Sequence, residues 1–165
     1  MTRVSAERFF DGHRMSGPTT VELDDDGIVR AISPCSGRAD HAVLCPGLVD
    51  LQMNGWEDVD VAGATPSDLA RLDDMLWREG TSHWLGTVVT APLPSMTETL
   101  VRLNSARGDV PGMLGIHTEG PFLGGRPGAH DPRPIGAVAE RSLSGVPPRG
   151  RVVALAAEAA GARGA

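Results

Sequence analysis

The sequence contains no lysine; all fifteen of its basic residues are arginine. A coding bias toward GC-rich codons accounts for that more simply than fifteen anion clamps would. Acidic residues outnumber them twenty-one to fifteen, giving a net charge of −6 and a pI near 5.3. That balance argues against a general nucleic-acid binder and against a membrane-surface protein. Cysteine is scarce. Cys35 and Cys45 have no metal-type spacing and read as two reduced thiols of a cytosolic protein. No apolar run approaches the ~20 residues of a membrane span, and "MTRVSAERFFDGHR" at the start has no signal-type hydrophobic segment. The expectation is a cytoplasmic chain, at 165 residues long enough for one domain with a real core.

Two textures follow one another along the chain. Residues 1–45 read as short strands of a small β domain, part of a β-sandwich. The clearest piece is "TTVELDDDGIVRAIS", two β-prone runs around Asp24-Asp25-Asp26-Gly27. A glycine free to adopt φ > 0 suits a hairpin turn there. The triple aspartate lacks the alternating ligands and closing glutamate of a calcium loop and reads as a solvated turn.

From Pro46 onward, strands alternate with helices. "GLVDLQMNG" (47–55) is an apolar strand ending in amides. "TPSDLARLDDMLWREG" (65–80) carries Leu69, Leu72 and Leu76 at helical spacing, with Thr65 as cap, Pro66 in the first turn and Gly80 as stop. "TSHWLGTVVTA" (81–91) is β-branched. "SMTETLVRLNSARG" (95–108) predicts a second helix opened by a Ser95-x-x-Glu98 capping box, with Met96, Leu100 and Leu103 on one face. "GMLGIHTEG" (112–120) is a third strand, and "RVVALAAE" (151–158) offers a fourth. Such a series predicts a parallel sheet, with chemistry at the C-terminal strand ends.

Gln52, Asn54, His117 and Glu119 fall at such ends. Residues two apart in a strand share a face, so His117 and Glu119 point into one space, as Gln52 and Asn54 do. A carboxylate there can ligate a divalent metal whose bound water then attacks at neutral pH. A buried glutamate paired with an arginine explains the residue equally well. A strand histidine donating to a backbone carbonyl explains His117, and a structural pair explains the two amides. His130 and Arg126 lie in "GGRPGAHDP" (124–132), a glycine-rich loop after the third strand, placed to meet a substrate or simply exposed.

Three segments, "CPGLVDLQMNG", "GTSHWLGTVVTAP" and "LGIHTEGPFLGGRPGAHDP", resemble in order and spacing the N-acetylglucosamine-6-phosphate deacetylases of the amidohydrolase superfamily, over roughly residues 45–133. The resemblance implies an α/β fold: an incomplete (β/α)8 barrel of TIM type over 46–165, holding the first three or four βα units, with a poorly matching tail from about 135. It implies metal-dependent removal of acetate from N-acetylglucosamine 6-phosphate, giving glucosamine 6-phosphate. Glu119 then falls at the family's metal-binding glutamate, Ala129 and His130 at its substrate-contacting pair. Gln52 and Asn54 take the place of a His-x-His pair found elsewhere in the superfamily, so that they and His117 line the site. One divalent ion, zinc or iron, and a small amino-sugar phosphate are the implied partners. No nucleic acid or membrane is implied, and the full-length family is expected to form homodimers.

The family's two further metal-binding histidines and its proton-shuttling aspartate come from later strands. No histidine follows His130, and the aspartate is expected beyond residue 165. A (β/α)8 barrel takes roughly 200–250 residues, and a catalytic zinc takes about three protein ligands. The expectation is therefore a truncated N-terminal portion, inactive alone. Two alternatives stand beside it. One is another amidohydrolase, a deaminase or cyclic amidase, against which the Gln-x-Asn pair and "GAHDP" speak. The other is a non-catalytic remnant that needs a companion chain.

Overall fold

The computed structural model describes residues 1–120, 123 and 151–154. The chain divides into two units, Met1–Gly47 and Leu48–Ala165.

The first unit is a sheet of β1 (Thr2–Phe10), β2 (Met15–Ser16), β3 (Thr19–Leu23), β4 (Val29–Pro34) and β5 (His41–Leu44). Strands β2-β1-β3-β4 run antiparallel in that order, and β5 lies parallel along β1. The β3–β4 turn forms as its residues predict. Asp24 accepts from the Asp26 N–H at 3.1 Å, the Ile28 N–H at 2.8 Å and Arg30 Nε at 2.7 Å, and Gly27 sits at φ +78°. The aspartates close a hairpin. Ala6 and Val21 are buried, while β4 is exposed along its whole length.

The second unit begins with β6 (Leu48–Met53), β7 (Gly55–Trp56) and β8 (Val59–Asp60). Helix α1 (Pro66–Arg78), β9 (Thr81–Val88), helix α2 (Leu93–Ala106), a 3-10 turn (Arg107–Asp109), β10 (Met113–Glu119) and β11 (Arg151–Ala154) follow. The main sheet has the order β11-β10-β9-β6, and every pairing in it is parallel. A parallel pair cannot be closed by a tight hairpin, so each helix serves as a crossover. Leu69, Leu72 and Leu76 of α1 and Met96, Leu100 and Leu103 of α2 share one core with Met53, Trp84, Val88 and Ile116 of the sheet. Both apolar stripes are those the spacing predicts.

The helix starts differ from one another. Thr65 caps α1 in a capping box with Asp68, and Gly80, at φ +90°, ends the connection to β9. The box expected at Ser95 does not form. Helix α2 begins at Leu93, after Pro92, with no side-chain cap. Pro94 fits the first turn, where no backbone N–H is required, and so moves the helix start ahead of Ser95.

Candidate functional site

The C-terminal end of the sheet gathers its polar side chains through one irregularity. The register of β6 against β9 shifts between Asp50 and Met53. There the Gln52 N–H is taken by the Asp50 carboxylate at 2.8 Å. Such bulges re-aim side chains, and Gln52 Nε2 donates to Glu119 Oε1, at the last residue of β10. Glu119 is only 8% exposed. Its backbone carbonyl accepts from Thr90 Oγ1 at 2.5 Å, and Gly120 turns the chain away at φ +76°.

His117, also 8% exposed, lies on the same face two residues earlier. Its Nδ1 is 2.7 Å from the carbonyl oxygen of Leu51. A carbonyl can only accept, so Nδ1 carries a proton, and in the neutral ring Nε2 presents a lone pair. Strand β9 separates β6 from β10 in the sheet. The Gln52–Glu119 and His117–Leu51 bonds therefore both reach across it.

Asn54 stays apart. Strand β6 ends at Met53, and Asn54 is exposed beyond it, with its carbonyl accepting from the Val61 N–H at 3.0 Å. The alternation that would seat both amides on one face stops one residue short. Ala129, His130 and Arg126 lie outside the described residues. Thr87 and Thr90 were missed by reading the sequence. In "GTVVTA" a threonine looks like any β-branched strand former, and only its position opposite β10 reveals its use.

A divalent metal would need several donors converging at this strand end. Glu119 supplies a buried carboxylate that accepts from the Gln52 amide, and a carboxylate is a donor type suited to one ligand position. Among the described residues no group of three or more His, Cys, Asp or Glu side chains could hold an ion. These residues therefore fit one contribution to a metal's shell and do not complete it.

No protein-family model matches the chain. Comparison with solved structures defines the class. N-acetyl-D-glucosamine-6-phosphate deacetylase from Mycobacterium smegmatis superimposes with a TM-score of 0.83 at 25% identity, over 98% of this chain and 49% of that one. The fold is that of these deacetylases: α/β, with a small β unit ahead of it. Curated relatives agree. N-acetylgalactosamine-6-phosphate deacetylase of Escherichia coli O157:H7 is 36% identical over 156 residues, 83% of this chain and 39% of its own length. N-acetylglucosamine-6-phosphate deacetylase of Vibrio furnissii is 29% identical over 129 residues, 72% of this chain and 32% of its own. The chain is homologous to the N-acetylglucosamine-6-phosphate deacetylases, as its three segments indicate, and spans under two fifths of the length of these curated relatives.

Proposed function

We propose that the chain carries the Glu119 side of an active site that hydrolyses the acetamide of N-acetylglucosamine 6-phosphate, giving acetate and glucosamine 6-phosphate. The observation that carries this reading is a buried carboxylate at the end of a parallel strand, held by an amide from another strand, in a homologue of such deacetylases. Glu119 is the residue here that would bind the metal. A divalent ion, zinc or iron, would supply an activated water and polarise the amide carbonyl. Gln52 orients the carboxylate, His117 ties β10 to β6 beneath it, and Thr90 holds the strand end. Ala129 and His130, by their place in the family's motif, meet the sugar phosphate.

The four parallel strands and their crossovers support reading residues 46–165 as the opening of a (β/α)8 barrel, with 1–45 as the small β domain. On that reading the missing ligands and the proton-shuttling aspartate are supplied by further polypeptide. These 165 residues then turn over no substrate by themselves. The Escherichia coli relative is named for the galactosamine epimer, which favours an N-acetylhexosamine 6-phosphate as the substrate class. Ligand-observed NMR with both sugar phosphates ranks the two.

Zinc titration of the purified chain followed calorimetrically, with acetate assayed in parallel, tests the reading. Only weak zinc binding, as one carboxylate gives, is expected, lost in Glu119→Gln, with no acetate above the blank. Equal zinc binding by both proteins removes Glu119 from the metal. Acetate release that disappears with Glu119→Gln contradicts the inactivity of the isolated chain.

A further inference from the structure

Beneath the Glu119 carboxylate lie two buried polar atoms without partners among the described residues. His117 and Thr87 are register partners on β10 and β9. Paired residues of neighbouring strands project to the same side of a sheet, with the backbones about 4.8 Å apart. Thr87 is 1% exposed, and among the described residues neither its Oγ1 nor His117 Nε2 has a hydrogen-bond partner. The two are chemically complementary. With Nδ1 committed to Leu51, Nε2 of the neutral ring is an acceptor, while the threonine hydroxyl can donate or accept. Gly115, two residues before His117 on that face, adds no side chain to the space beside them.

Buried polar groups nearly always find a partner, and internal waters bind where two to four such groups converge. We propose that His117 Nε2 and Thr87 Oγ1 together bind one ordered water, which gives one hydrogen to Nε2 and meets the hydroxyl with its other valences. The ligand is water, not a cation. Among the described residues no group of three or more His, Cys, Asp or Glu side chains could hold an ion there, and one water satisfies both groups. This floor holds the His117 ring against Leu51, and so holds β10 in place under Glu119. The proposal does not depend on the deacetylase reading, and its failure leaves the zinc test untouched.

A high-resolution crystal structure of the unsubstituted protein tests it directly. Density for one water about 3 Å from both atoms is expected. A direct Thr87–His117 hydrogen bond, or a dry contact, overturns it. In solution, water relaxation dispersion should count one long-lived internal water fewer in Thr87→Val than in Thr87→Ser, which keeps the hydroxyl. The His117 Nε2 nitrogen resonance should shift in the valine variant and stay in place in the serine variant. Equal water counts and an unmoved resonance in both variants refute the site.

Discussion

Single residues fix the strand end where Glu119 emerges. Gly120 adopts φ +76°, a region that L side chains occupy only under strain, and a Cβ there would run into Thr90 Oγ1. Gly120→Ala should lower stability by roughly 1–3 kcal/mol, measured by urea denaturation, and should reduce any Glu119-dependent zinc binding. A second pin lies away from the site. Asp73 of α1 accepts from Trp84 Nε1 at 2.7 Å and from the Gly112 N–H at 3.1 Å, joining the helix to β9 and to the turn before β10. Removing it as Asp73→Ala leaves a fully buried indole N–H unpaired and should destabilise by about 1–3 kcal/mol. At this scale the sequence was legible only where contact is local. The i, i+2 rule puts His117 and Glu119 on one face, because strand geometry demands it. Nothing near Gln52 announces that its amide reaches a carboxylate 67 positions away over an intervening strand.

At the level of elements, α1 shows what an intact start signal contributes. The Thr65 hydroxyl lies 2.6 Å from Asp68 Oδ2 and accepts from the Asp68 N–H at 3.2 Å, and the Thr65 N–H reaches the same carboxylate at 3.0 Å. The Thr65 side chain first, and its backbone N–H second, hold the Asp68 carboxyl below the ordinary 3.8. A carboxyl depressed in the folded state stabilises at pH above its unfolded value, and that contribution fades as pH falls through the folded value. The capping contribution is thus complete near neutrality and lost below about pH 3.8. Thr65→Ala should cost about 1 kcal/mol at pH 7 and flatten that acid limb, read from thermal unfolding across pH. Helix α2 teaches the converse. Its buried stripe was legible from Met96, Leu100 and Leu103, but its start was not. Ser95-x-x-Glu98 is a capping pattern only if the helix begins there, and Pro92 and Pro94 begin it sooner.

The molecule as a whole leaves much apolar surface at its strands. In the second unit Leu48, Val49 and Leu51 of β6 are each more than half exposed, and β6 ends the sheet among the described residues. In the first unit Val29 and Ile32 of β4 are exposed in the same way. An apolar edge strand is a template for pairing with another chain. Sedimentation velocity should show concentration-dependent association of the purified protein. Val49→Lys with Leu51→Lys should reduce it, with little change in the unfolding midpoint, since neither side chain belongs to the core. The alternation of periods made the α/β class and parallel order readable from the chain. Which strand faces were to remain uncovered was not readable, because the same Val-Leu pattern serves a buried strand and a bare one.

Strand β9 is strapped down. Two fastenings, His117 to Leu51 and Gln52 to Glu119, pass over it from its neighbours on either side. Its amide protons around Leu85–Thr87, in a strand laddered on both sides as well as strapped, should therefore trade for deuterium slowly. That stretch should be among the last of the second unit to label, and cutting one strap should free it ahead of the helices.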